Sequence, residues 1–301
     1  MDKRDDKIGR LNILLGVALV SGAAIAISAP PLANSLIWTA PGAEMATLSS
    51  QPLSCIEDGP NGPQAQYGRA LFNTPLLLGG QAAKAGLNCN SCHISGRDNP
   101  HFLMPHLSAG PGTADVTSSF FGEMRGNGQF DPVKIPDLVQ PGKIPRDPSS
   151  RALEGFIRNL IVEEFSGHEP SAATLSALAA YVRAIRSCDG REARTLEDQL
   201  TLISVAVEGA AAMAKAEESS TADLLIAAAR HQLGLIDERY AFPQLKRERT
   251  MVRNASVSLQ TAADLSKWQS DFDANVVPKL RRAEAKSAYN RAVLEQALAQ
   301  K

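Results

Sequence analysis

The sequence predicts an all-α protein, on three observations. Alanine-rich stretches dominate the second half of the 301-residue chain, and alanine is the strongest helix former. Aromatic residues make up only 5%, too few for the branched and aromatic surfaces that sheets need. Beyond residue 190, apolar residues recur at three- and four-residue spacing, as on the inner face of a helix. The length suits one or two domains. With 44% hydrophobic and 21% charged residues, the composition is that of a globular protein. Thirty-one basic residues against 32 acidic ones leave a net charge of -1. There is no basic block, so the pattern excludes nucleic acid as a partner class.

The chain begins with Lys3, Arg4, Lys7 and Arg10, followed by an uncharged run from Leu11 to Ala29 and then Pro30-Pro31. A basic flank before an apolar run is the layout of an export signal. Ala24, Ala26 and Ser28 offer small residues for cleavage. The run also approaches the length of a membrane span. Residues 1–33 therefore read as a signal peptide or as an inner-membrane anchor. Either way the remainder lies in the periplasm, because the positive flank stays inside.

Residues 89–93 read Cys-Asn-Ser-Cys-His. Two thiols at this spacing can each form a thioether to one haem vinyl group, with the adjacent histidine beneath the iron. A zinc ribbon needs a second ligand pair, whereas Cys55 and Cys188 stand singly. A thioredoxin-type motif needs a βαβ context that the sequence lacks. The expectation is one haem c, attached covalently through Cys89 and Cys92, with His93 as proximal iron ligand.

The flanks resemble the cytochrome c peroxidase and MauG family. Tyr67-Gly68-Arg69-Ala70-Leu71-Phe72-Asn73, with Pro75 and Gly79-Gly80 after it, is similar to that family's L-G-R-x-L-F helix start. Val133-Lys134-Ile135-Pro136-Asp137-Leu138 is similar to its R-x-P-x-L segment, and 152–165 and 173–185 to its closing helices. The resemblance covers about residues 60–188. It implies a cytochrome c-like haem domain, placed at 50–190, and peroxidase-type chemistry as an alternative to electron carriage. The chain departs from the family in having one Cys-x-x-Cys-His rather than two and no Trp-Asp-Gly-Arg segment. The helix that carries the family's distal methionine has neither Met nor His here, from Leu153 to Ile161.

For the sixth iron ligand, Met124 comes first on chain reach and Met104 second; a histidine among His101, His106 and His168, or an open position, stays in play. Either methionine is equally suited to packing against the ring. Arg97, Arg125 and Lys134 are candidate partners for haem propionates. In an enzyme, Glu123, His101 or His106 would supply the distal acid or base. Cys55 and Cys188 flank the domain, and an oxidising compartment favours a bond between them.

After Asp189-Gly190-Arg191, Leu196, Leu200, Ile203 and Val207 mark one helix. Thr221 is expected to cap a second, with Leu224, Leu225, Ala228 and Leu235 on its inner face. Pro243 opens a third, and 261–300 is helical with a break at Pro278. Residues 191–301 thus read as an antiparallel helical bundle for docking or dimerisation. The functional expectation is single-electron transfer between redox partner proteins.

Overall fold

A computed structural model describes residues 32–299 except 54, 58–61, 119, 123, 125 and 141. The export segment expected at 1–33 therefore lies almost wholly outside the described residues. The chain is mostly helical, as the sequence predicts.

The N-terminal stretch leads through α1 (Glu44–Ser49) into strand β1 (Ser50–Pro52). Helix α2 (Gly62–Phe72) and the short α3 (Gly80–Lys84) precede the one-turn α4 (Cys89–Cys92). A long irregular segment follows, carrying only the two-residue strands β2 (Thr113–Ala114) and β3 (Val133–Lys134), which pair antiparallel. Helix α5 (Ala152–Asn159) runs into a π-helical turn at Leu160–Glu164, and α6 (Ala172–Ala184) closes the region. Strand β4 (Arg191–Ala193) pairs with β1. Cys55 and Cys188 are disulfide-bonded beside that ladder, and Ile56 bridges Ile185. The expected bond is present, and the two ends of the region are fastened three ways.

Helix α7 (Leu196–Lys215) starts with a capping box in which Thr195 and Asp198 satisfy each other's backbone N–H groups. Leu196, Leu200, Ile203 and Val207 are all buried, so its predicted face is the observed one. Helix α8 (Ser219–Arg239) begins before Thr221. Thr221 is not its cap; its hydroxyl meets those of Ser171 and Thr174, tying α8 to the start of α6. The inner face of α8 is Leu225, Ala229, Leu233 and Ile236, while Leu224 and Leu235 are half-buried. Helix α9 (Lys246–Gln260) follows the turn at Pro243. The stretch expected as one helix with one break is three helices: α10 (Leu265–Asn275), α11 (Val277–Ala283) and α12 (Arg291–Ala299). Pro278 sits in the first turn of α11, where its missing N–H costs nothing.

One apolar cluster runs from Ala70 to Ala283, crossing residue 190 without a gap. The expected division there coincides with the disulfide and the β1–β4 ladder rather than with a boundary in the core. Two adjacent residues of α2 explain the continuity. A Cβ on Gly68 would lie 1.9 Å from the Ala177 carbonyl oxygen, so only glycine lets α2 and α6 approach so closely. The ring of Tyr67 lies over Gly209 of α7, where a Cβ would come within 2.7 Å of it. Tyr67 and Gly68 thus serve two neighbouring helices at once.

Candidate functional site

The attachment turn is shaped by its polar residues. Asn88 caps α4: its side-chain oxygen accepts from Ser91 N at 2.9 Å, and Ser91 Oγ accepts from Asn88 N at 3.1 Å. Asn90 Oδ1 accepts from Ser95 N at 2.9 Å, helping the chain through the positive φ of 54° at Ser95. Asn99 Nδ2 donates to the Ser91 carbonyl at 2.7 Å. Both residues between the cysteines therefore hold the backbone, which brings Cys89, Cys92 and His93 together on one turn.

The imidazole of His93 has a defined tautomer. Its Nδ1 lies 3.1 Å from the Pro136 carbonyl oxygen, which can only accept, so the proton is on Nδ1. Nε2 keeps its lone pair and is the available ligand atom, the arrangement typical of metal-bound histidine. Burial pushes the His93 pKa down to about 4, against the opposing pull of Pro136, Asp137 and Asp98, so the ring is neutral at pH 7.

The loop bearing Pro136 is itself pinned. Leu138 N donates to the Gly96 carbonyl at 3.2 Å. Arg97 Nε donates to Asp137 at 2.8 Å and Arg97 Nη1 to the Cys188 carbonyl at 3.1 Å. Arg97, expected as a propionate partner, instead links the histidine's acceptor loop to the disulfide end. Arg146 donates to the Leu138 carbonyl at 2.9 Å and to the carbonyls of Val182, Arg183 and Ile185 at 3.0–3.2 Å, closing the C-terminus of α6.

Cys89 and Cys92 are free thiols, each with its pKa pushed up to about 12, chiefly by burial. That is the opposite of the low-pKa thiol a disulfide oxidoreductase uses. Both cysteines and His93 are half-buried. Among the described residues, five of the eight large exposed hydrophobic side chains lie between 120 and 156: Phe120, Met124, Phe130, Val133 and Phe156. A free Nε2, two thiols on the same turn and this apolar stretch fit a haem.

The remaining candidates separate. Met104 is buried in the core at 4% exposure, in a turn whose carbonyl accepts from Leu107 N and Ser108 N. Met124 is 72% exposed. His101 is half-buried, whereas His106, His168 and Lys134 are exposed. Glu123 and Arg125 lie outside the described residues. Sequence reasoning missed the supporting set of Asn88, Asn90, Asn99, Arg146 and the Pro136 carbonyl. The Pro136 segment was marked only by its resemblance, and Asn and Ser around a half-turn look like ordinary loop residues.

Among the described residues, no group of three or more His, Cys, Asp or Glu side chains is placed to hold a metal ion, a criterion that one proximal histidine does not meet. No helix among them is long and apolar enough to cross a membrane. Compared with known protein families, characterised proteins and solved structures, the chain shows no match.

Proposed function

We infer that the chain is a c-type cytochrome that carries one haem and passes single electrons between redox partners outside the cytoplasm. The observation that carries this is the single turn that presents two thiols beside a histidine whose Nδ1–H is committed to Pro136. A haem bound here supplies a one-electron iron couple. Cys89 and Cys92 anchor it through thioethers, and His93 Nε2 occupies the proximal position. Pro136, held by Arg97 and Arg146 through its neighbours, fixes the plane of the imidazole and raises its basicity. The Cys55–Cys188 bond supports an oxidising compartment, in keeping with export by the N-terminal segment.

The test is haem staining of the denatured, exported chain. Colour should stay with the polypeptide, vanish in the Cys89→Ala/Cys92→Ala double variant and persist in Cys55→Ser. Colour that survives the double change would sink the reading. The sixth ligand divides a carrier from a peroxidase. With Met124 as ligand, Met124→Ala should convert a low-spin ferric spectrum to a high-spin one and lower the reduction potential. If Met104→Ala does so instead, the carrier stands with the other methionine. A wild-type protein already high-spin and fast with peroxide would favour the enzyme.

A further inference from the structure

A cavity of about 180 Å³ lies where the N-terminal stretch, the Cys89–His93 turn and helices α7 and α8 meet. It is lined by Asn90 and Ser91, the two residues between the cysteines, but by neither cysteine nor His93. Its third wall is fastened by Glu238 of α8, whose carboxylate accepts from Asn34 N and Ser35 N at 2.9 Å each.

The charges around it do not balance. Arg69, Arg194 and Arg239 face it, against the one carboxylate of Asp198. His231, also in the wall, is held neutral by burial, with its pKa lowered to about 4. Arg239 is fully employed: it donates to the Leu48 carbonyl at 2.7 Å and the Ala288 carbonyl at 2.9 Å and lies over the Tyr289 ring. The other two are not. Among the described residues, the Arg69 guanidinium has no hydrogen bond or ion pair. Arg194 has one long bond, from Nε to the Ser50 carbonyl at 3.4 Å. Burial lowers the Arg194 pKa to about 10, and Arg239 adds to that. Gln232 gives an independent sign. It is only 4% exposed, lines the cavity, and its amide has no hydrogen-bond partner among the described residues.

Half-buried guanidinium groups and an amide that face a cavity with spare hydrogen-bonding capacity favour a ligand that can pair with them. Guanidinium forks match a carboxylate, and a primary amide both donates and accepts. Asp198 spends one oxygen on Thr195 N and leaves the other as an acceptor, which suits a ligand hydroxyl. The polar walls and modest volume exclude a large apolar ligand.

We propose that this cavity binds a small hydroxycarboxylate, its carboxylate held by Arg69 and Arg194 and its hydroxyl and polar body by Asp198 and Gln232. The site uses none of the haem-attachment residues, so it stands or falls separately from the cytochrome reading.

The experiment is titration calorimetry on the full chain as isolated, with lactate, malate, succinate and inorganic phosphate at matched ionic strength. At least one of lactate and malate should bind saturably, one per chain, and raise the thermal midpoint. Succinate, which lacks the hydroxyl, should bind at least ~10-fold more weakly than malate where malate binds. Arg194→Gln, Arg69→Gln and Gln232→Leu should each weaken binding by about tenfold or more, the loss expected for one hydrogen bond to a charged or buried group. Should Arg194→Gln fail to fold, Arg69→Gln and Gln232→Leu decide. Absence of saturable binding by both hydroxycarboxylates would overturn the proposal. So would unchanged affinity in the folded variants, or phosphate binding more tightly than either hydroxycarboxylate.

Discussion

Helices α7 and α8 and the segment from 94 to 150 are built by different physics. The helices are held by periodic apolar faces: Leu196, Ile203 and Val207 on one, Leu225, Leu233 and Ile236 on the other, each at most 1% exposed. Among its described residues the segment from 94 to 150 has two short strands and no helix beyond a turn at Ile94–Gly96. Side chains fasten its backbone instead. Arg146 closes four carbonyls, Thr113 Oγ1 accepts from Ala109 N and Gly110 N, and Asp115 Oδ1 accepts from Thr117 N. It also carries four of the large exposed hydrophobics, Phe120, Met124, Phe130 and Val133. The contrast teaches a division of labour. The helices hold together through periodic apolar faces, and the segment holds an irregular backbone through side-chain hydrogen bonds.

The largest test of that division is the disulfide. It joins residues 133 apart in sequence, so the closed loop holds α2 to α6 with the Cys89–His93 turn and none of α7 to α12. In the chain-entropy model a loop of this length contributes about 4–5 kcal/mol. Cys55→Ser/Cys188→Ser should lose about that much in denaturant unfolding. Because one apolar cluster spans residues 70–283, the loss should still appear as a single transition by circular dichroism and by haem absorbance. Two separated transitions would show that the helices stand without the cofactor region and that the core is less shared than its packing indicates.

A smaller and more local effect is expected at Arg146. Removing its guanidinium with Arg146→Gln strands carbonyls at the end of α6 and frees the Pro136 loop. Charge-assisted bonds of this kind support a loss of about 2–3 kcal/mol. Amide exchange at Leu138, Val139 and Gln140 should speed up while the amides of α7 and α8 keep their protection. Equal acceleration in both regions would mean that the segment and the helices do not open independently.

The same contrast decides what the sequence could disclose. Leu196, Leu200, Ile203 and Val207 announce α7 because burial on one face of a helix writes a period into the chain. The inner face of α8 is less legible: alanines carry much of it, and Leu224 and Leu235 look as apolar as Leu225. Thr221 reads as a cap because threonine before an apolar run usually is one. Its partners, Ser171 and Thr174, lie fifty residues away, where no local rule reaches. Cys89, Cys92 and His93 are legible because the spacing itself is the chemistry. Arg97 is not: a lone arginine beside a haem motif suggests a propionate, and only the fold shows that Asp137 and the Cys188 carbonyl take it first. The Arg69, Arg194 and Gln232 cluster is assembled from three distant segments and leaves no pattern at all.

The smallest expected effect lies on the helical side, where a buried polar group departs from the apolar rule. His231 of α8 has its pKa lowered from 6.5 to about 4 by burial, with Glu238 opposing. The folded state therefore favours the neutral ring more than the unfolded chain does. Its contribution is fully present above pH 6.5 and is lost as pH falls toward 4, because the unfolded state takes up the proton first. The ring is partly open to the cavity, so solvent screens part of the effect and the loss should be on the order of 1–2 kcal/mol. His93 shows the same lowered value, but under the proposed haem ligation it would not titrate in this range. Haem-loaded protein should thus lose stability between pH 6.5 and 4 with His231 as a separable part. His231→Gln should flatten the profile in buffers free of phosphate and small carboxylates, and leave stability at pH 7.5 nearly unchanged. A variant that tracks the wild type down to pH 4 would place the acid sensitivity elsewhere.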